Sequence, residues 1–463
     1  MKRTFKIISP GSGEVFAERP YATNDLINAT LERAGRMNQV WKETPLGERI
    51  DICQKAVDYF VRNADPWGEE ITRMMGRPIR YSPYEIKGGF QERARYMIDI
   101  APEMLSEIRT RDKEGFQRFI QREPLGTILV LAPWNYPYLT SVNVVIPALL
   151  AGNSVILKHS EQTAICAERY LEAFEYAGLP AGVFQYLHLD HAQVASLINE
   201  PQIAYVAFTG SVEGGRAIQS AVGKRFITAG LELGGKDPAY ICEDADWNYT
   251  IDNVVDGSFF NSGQSCCAIE RIYVQQSVYE RFIEDFVNLT KKYVLGDPLD
   301  PATTLGPMVR KSNAELAKVQ LSAALKAGAR PQIPEGTFPN LPTPYLAPQV
   351  LTSVDHQMEV MTEESFAPII GIMPVANDAE AIRLMNDSQY GLTASIWTSN
   401  MDRALQIGNE VDTGTWFMNR CDYLDPELAW TGVKNTGKGC TLSRLGYEHL
   451  TRPKSFHLKY KTQ

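Results

Sequence analysis

Four short segments carry side chains able to do chemistry. The first, APWNYP at residues 132–137, follows a predicted buried strand, and the amide of Asn135 can donate to a developing oxyanion. The second, ILKHSEQT at 156–163, places Lys158 and Glu161 where they could reach a nucleotide ribose. The third, FTGSVEGG at 208–215, is a strand-to-helix junction. There Gly210 allows a tight turn, and the helix that follows Ser211 can receive a phosphate at its N-terminus. It is not G-x-G-x-x-G, so the usual dinucleotide fingerprint is absent. The fourth runs from LELGGK at 231–236 to FFNSGQSCCA at 259–268. Glu232 precedes two glycines that let backbone approach a ligand closely, and a carboxylate can act as a general base. Cys266 and Cys267 lie among small residues, and a thiolate is a strong nucleophile.

Each segment also has a plain structural reading. Asn135 is a turn residue between two prolines. Ser160 and Glu161 form an ordinary helix start, with a cap and an acidic first turn. Most buried cysteines are packing residues. The joint occurrence of these groups, in this order, is what points to an active site.

The elements around these segments alternate between strand and helix. Residues 24–63 and 85–107 read as helices, with Leu26, Ala29, Leu31 and Ala34 at helical spacing. A turn at 124–126 leads into a buried strand at 128–131. Strands at 154–157, 184–188, 204–208 and 225–229 alternate with helices at 161–177, 192–198 and 212–222. That pattern predicts a parallel α/β sheet covered by helices on both faces. A second α/β region is expected from about 250 to 425. The stretch 454–460 alternates like an edge strand, able to pair within the chain or with another subunit.

The chain has 463 residues, more than one hydrophobic core can serve, so two or more domains are expected. Its 44% hydrophobic and 22% charged residues are ordinary for a globular protein. A net charge of −9 offers no basic field to nucleic acid or to an anionic membrane surface. No segment reaches the roughly 18–20 apolar residues that span a bilayer. The N-terminal residues have no apolar core of a signal peptide. Seven scattered cysteines without a C-x-x-C pair predict neither a disulfide framework nor a metal site, and fit a reducing cytoplasm.

The ordered set of motifs resembles the aldehyde dehydrogenase superfamily. EESFAP at 363–368, YGLTASIWT at 390–398 and GVKNTGKG at 432–439 match as well, so the resemblance runs over nearly the whole chain. It implies an α/β fold of three parts. A Rossmann-like cofactor domain comprises 1–106 and 127–232, an α/β catalytic domain 233–425, and a small β oligomerisation arm 107–126 with 440–463. Homodimers or homotetramers are usual in the family.

The implied reaction oxidises an aldehyde to a carboxylic acid with NAD(P). Cys266, two residues after Gln264, matches the catalytic thiol and forms a thioester, Asn135 matches the oxyanion donor, and Glu232 activates the water. Trp134, Gly210, Ser211 and Leu233 match contacts to the cofactor. Lys158 and Glu161 match contacts to the adenosine ribose, and Glu364 and Phe366 to the nicotinamide side. Glu161 would repel a 2′-phosphate, so NAD is the expected cofactor over NADP, although Lys158 acts the other way.

Departures from the family pattern are Val144 where many relatives have Lys, Thr441 where many have Glu, and Ala367 where Gly is usual. The first two put a proton relay to Glu232 in doubt. Tyr138, Phe260 and Leu424 match the walls of the aldehyde tunnel and suggest an apolar or aromatic aldehyde. Asn143 and Arg420 are nearby polar groups; Arg420 could pair with a substrate carboxylate, and an ion pair to Asp422 or Asp425 is the favoured reading. Two competing functions are a CoA-acylating dehydrogenase, whose members typically lack the Glu at 232, and a catalytically silent member. Intact Cys266, Glu232 and Asn135 weigh against both.

Overall fold

The segment TILVLA, Thr127–Ala132, is buried at all of its positions, as a strand covered on both faces must be. In the computed structural model, which describes residues 3–461, it lies inside a six-stranded sheet. The spatial order is Gly437–Lys438, Thr228–Glu232, Ile203–Thr209, Thr127–Ala132, Ser154–His159 and Phe184–Tyr186. All pairs are parallel except that of Gly437–Lys438 with Thr228–Glu232. The chain steps outward twice from Thr127–Ala132, then crosses back and adds Ile203–Thr209 on its other side. That reversal opens a crevice beyond the carboxyl ends of these two neighbouring strands, where doubly wound sheets take ligands. Residues 133–135 and 210–211 leave the sheet at that edge.

A seven-stranded sheet forms the second layer system, in the order Arg330–Pro331, Gln349–Thr352, Ile369–Val375, Ile269–Gln275, Asp237–Ile241, Thr393–Trp397 and Thr415–Met418. Only Arg330–Pro331 runs antiparallel. A third, antiparallel sheet joins Thr451–Lys459, Phe116–Pro124 and Ile108–Arg109. The terminal strand thus pairs within the chain over nine residues, with Phe119 stacked on Phe456 at 4.6 Å. Among the described residues no helix is long and apolar enough to cross a membrane.

Several boundaries differ from the sequence expectation. The strand placed at 225–229 is Thr228–Glu232, because residues 223–226 form a turn after the helix Val212–Val222. The shift matters, since it puts Glu232 at the end of a strand. The helix expected over 161–177 is a short turn Glu161–Thr163, capped by Ser160, followed by Ile165–Ala177. Its end at Gly178 is as expected, with φ 83°. The second α/β region starts earlier than 250, since Asp237–Ile241 is one of its inner strands. Residues 1–2 and 462–463 of the expected domain ranges lie outside the described residues.

The loops that leave these sheets are held by a buried ion pair. Arg77 donates to Glu85 Oε2 at 2.6 Å, and both side chains are within 2% of complete burial. The other oxygen of Glu85 accepts from the N–H groups of Tyr138 and Leu139, at 2.8 and 2.9 Å. These N–H groups belong to the first turn of the helix Pro137–Leu150, which has no intrahelical acceptor for them. A carboxylate there also meets the positive end of the helix dipole. Arg77 in turn donates to the carbonyl of Asn135 and to Asn261 Oδ1 at 3.4 Å. Its guanidinium lies over the Tyr136 ring, 4.4 Å from the centroid. One cation therefore joins the loop of Asn135 to the loop that leads to Cys266.

Breaking one partner of such a pair leaves a buried charge uncompensated, at about 3–5 kcal/mol. Glu85→Gln is expected to lose stability on that scale in thermal melts. The double variant Arg77→Met/Glu85→Gln should lose less than the sum of the single variants. Additive losses would remove the pair from this role.

Candidate active site

The thiol loop begins with three consecutive left-handed residues, Asn261, Ser262 and Gly263, at φ 53°, 58° and 69°. Such backbone is costly for non-glycine residues and needs a frame that holds it. Here Ser262 Oγ donates to the Gly306 carbonyl at 2.9 Å, and the Gln264 side chain bridges the Asn261 carbonyl and the Val309 N–H. Gly263 passes so close to Ala367 that a Cβ would lie 2.4 Å from its carbonyl oxygen. The Asn135 amide donates to the Gln264 carbonyl at 3.3 Å, which orients the amide beside the Cys266 loop. Among the described residues the Cys266 N–H donates to no protein acceptor.

Two cavities meet at this loop. One of about 500 Å³ lies in the crevice of the six-stranded sheet, walled by Trp134, Asn135, Gly210, Ser211, Glu364 and Phe366. The other, of about 330 Å³, is walled by Arg93, Tyr136, Leu139, Asn143, Phe260 and Leu424, among others. Four residues line both: Thr209, Glu232, Leu233 and Cys266. A thiol and a carboxylate thus face the same junction.

Glu232 accepts from the Thr441 hydroxyl at 2.5 Å and from the Thr209 hydroxyl at 3.1 Å. Burial pushes its carboxyl above the ordinary range, while the two hydroxyls and the charge of Arg93 pull it back. Thr441 therefore contacts Glu232 directly. Cys267 lines only the smaller of the two cavities. It is 3% exposed, and its thiol donates to Asp422 Oδ1 at 3.1 Å, which also accepts from Ser265 Oγ at 2.7 Å. The adjacent Cys266, burial and the Asp422 carboxylate together hold the Cys267 thiol protonated far above its usual range.

The larger cavity offers a helix N-terminus and a close backbone approach. Ser211 caps the helix Val212–Val222 and leaves its first turn facing the crevice, where a phosphate would be favoured. A Cβ at Gly234 would collide with the Glu364 carboxylate, so that glycine permits the close approach. Glu364 accepts from Gly235 N–H at 3.2 Å, and burial together with the charge of Glu270 pushes it up to about 8. The Trp134 and Phe366 rings meet edge to face at 5.5 Å. It is Phe366, not Ala367, that takes the left-handed conformation, at φ 47°, so Ala367 in place of Gly causes no strain. Phe366 and Ser365 donate their N–H groups to Glu270, each at 2.8 Å, and Lys236 neutralises that carboxylate from 2.8 Å.

Lys158 and Glu161 come together at the end of strand Ser154–His159, outside the walls of either cavity. Tyr21 donates its hydroxyl to Glu161 at 2.6 Å. Burial draws both Lys158 and Arg310 below their usual values, and Glu161 opposes the change in each.

Two expectations for the aldehyde side are corrected. Tyr138 does not line the tunnel. It is fully buried among Phe60, Trp67, Phe90 and Tyr170, because the first turn of its helix rotates Tyr136 and Leu139 toward the cavity instead. Arg420 forms no ion pair with Asp422 or Asp425 among the described residues, and lies over the Tyr423 ring at 3.7 Å. Phe260, Leu424 and Asn143 line the smaller cavity.

Sequence reasoning missed Arg93, Arg77, Glu85, Thr209 and Arg310. Arg93 left a signal, since it shares the buried stripe of its helix with Ala94, Met97, Ile98 and Ala101. A charge on an apolar stripe needs a reason.

Comparison with known proteins agrees with this geometry. The sequence model of the aldehyde dehydrogenase family matches residues 1–456. A succinate-semialdehyde dehydrogenase (NADP+) of Deinococcus radiodurans is 32% identical over 459 residues, covering 98% of this chain and 94% of that protein. A succinate semialdehyde dehydrogenase (NAD(P)+) of Escherichia coli is 32% identical over 446 residues, covering 95% and 94%. The crystal structure of a succinic semialdehyde dehydrogenase from Streptococcus pyogenes, in complex with NADP+, superposes with a TM-score of 0.93 at 29% identity, over 98% of this chain and 100% of that one.

Proposed function

Because the chain belongs to the aldehyde dehydrogenase family and oxidises aldehydes with NAD(P), we propose that Cys266, Asn135 and Glu232 carry that reaction. The observation that carries the assignment is the junction of the two cavities, which the Cys266 thiol and the Glu232 carboxylate both line.

The Cys266 thiolate attacks the aldehyde carbon and forms a thiohemiacetal. Its oxyanion lies between the Asn135 amide and the Cys266 N–H, each such donor contributing roughly 3–4 kcal/mol. The nicotinamide cofactor, when bound, accepts the hydride that leaves this carbon. Glu232 takes a proton from water as water attacks the resulting thioester, and Cys266 leaves as the thiolate. Trp134, Gly210, Ser211 and Leu233 would hold the pyrophosphate side of the cofactor, and Glu364 and Phe366 the nicotinamide side. Phe260 and Leu424 wall the aldehyde path.

The finer cofactor choice turns on Lys158, Glu161 and Arg310. Glu161 favours NAD, since its free oxygen can accept from a ribose hydroxyl. Lys158 and Arg310 favour a 2′-phosphate, and Tyr21 already occupies one oxygen of the carboxylate. The balance supports use of both cofactors, with Glu161 as the group that restrains NADP.

Three further readings complete the proposal. The six-stranded sheet and its helices act as the cofactor domain (1–106 and 127–232), and the seven-stranded sheet as the catalytic domain (233–425). The three-stranded sheet forms the arm (107–126 and 440–463) of a homodimer or homotetramer; its edge strand exposes Leu458 at 47%. The seven cysteines are all free thiols, which suits the cytoplasm.

Cys266→Ala should remove NADH or NADPH formation by several orders of magnitude while cofactor binding persists. Cys267→Ala should stay within about tenfold of wild type, or about 1.4 kcal/mol. An acyl label found on Cys267 would reverse the assignment. Glu232→Gln should keep a burst of reduced cofactor and then turn over slowly. Thr441→Val removes a hydrogen bond to the charged form of Glu232, so the acidic limb of kcat should move to higher pH, by about one unit. A limb that stays in place would show that Thr441 does not tune the base. Glu161→Gln should raise the NADP/NAD ratio of kcat/KM by about tenfold; an unchanged ratio would take cofactor choice away from this residue.

A further inference from the structure

Arg93 is a buried charge that makes no ion pair among the described residues, beyond the pull of its field on Glu232. It is 4% exposed and lies on the apolar stripe of the helix Gln91–Met104. One terminal nitrogen donates to the Leu139 carbonyl at 2.7 Å and to Asn143 Oδ1 at 3.3 Å, which fixes that edge of the guanidinium. Its Nε is buried without a hydrogen-bond partner. The second terminal nitrogen makes no protein hydrogen bond and is not among the buried unpartnered atoms, so it opens onto the cavity that Arg93 lines. No carboxylate among the described residues pairs with it.

The other charges of this cavity are engaged. Arg77 and Glu85 hold each other, and Glu85 also takes two helix N–H groups. Glu232 takes two threonine hydroxyls, and Asp422 takes Ser265 and Cys267. Asp256 stands at the exposed rim. A buried guanidinium without an ion-pair partner is costly, and its free terminal nitrogen can donate to a carboxylate oxygen. Cys266 lines the same small cavity.

The geometry points to Arg93 as the receptor for a carboxylate on the substrate, so that short ω-oxo carboxylates are the preferred aldehydes of this enzyme. The aldehyde carbon reaches Cys266 while the far end of the same molecule supplies the missing counter-ion. The inference rests on the aldehyde-oxidising reading and adds the substrate class to it. It also replaces the apolar or aromatic aldehyde expected from the tunnel residues.

The test compares kcat/KM for ω-oxo acids of four and five carbons with that for butanal and pentanal, using purified enzyme and NAD or NADP. The charged substrates should exceed the neutral ones by at least about a hundredfold, since a site built around a polar group rejects an analogue that lacks it. Arg93→Met should cut that ratio by at least about thirtyfold, mostly through KM, and Arg93→Lys should recover part of it. Because Arg93→Met could fail to fold, the methyl ester of each oxo acid on wild type removes the charge from the other side. The ester should fall to the level of the alkanal. A wild-type ratio near one, esters as good as acids, or equal loss on both substrate types in a folded Arg93→Met would each overturn the inference. A folded wild type that oxidises none of the aldehydes would instead refute the reading beneath it.

Discussion

The site depends on the buried pair between Arg77 and Glu85. Two oxygens and three nitrogens of the pair reach three other pieces of chain. They are the first turn of helix Pro137–Leu150, the carbonyl of Asn135 and the side chain of Asn261. Each of these pieces has polar groups that burial would otherwise leave unpaired, which is the costly state. The pair therefore does more than neutralise itself. It sets where Asn135 stands relative to the loop of Cys266.

A second buried pair repeats the device on the cofactor side. Glu270, on the strand that follows the thiol loop, receives the N–H groups of Ser365 and Phe366 and the ammonium of Lys236. Its charge then raises the carboxyl of the neighbouring Glu364, which must share a water-poor space with it. Both clamps use buried charged groups to hold loops from elsewhere in the chain.

The two cysteines illustrate how such a frame divides adjacent residues. Cys266 lines both cavities, whereas Cys267 lines only the smaller one and donates to Asp422. The adjacent Cys266, burial and the Asp422 carboxylate together keep Cys267 a thiol. Chemical identity alone could not separate them; the direction of two consecutive side chains does.

Much of this was legible in the sequence, because it depends on local pattern. The buried strand before Asn135, the strand-to-helix turn at Gly210–Ser211 and the alternation that builds a parallel sheet are set by residues a few positions apart. So are the ordered motifs around Glu232 and Cys266. What tertiary structure alone decided involves partners 50 to 350 positions distant in the chain. Thr441 meets Glu232 only because Gly437–Lys438 adds a strand beside Thr228–Glu232. Tyr138 packs in the core while Tyr136 and Leu139 reach the cavity, since the rotation of a helix's first turn depends on what its neighbours bury. Arg93 looks like a misplaced charge on an apolar stripe until a second helix and the thiol loop close a cavity around it. Local periodicity fixes which face of an element is buried, but not which groups from other elements that face will meet.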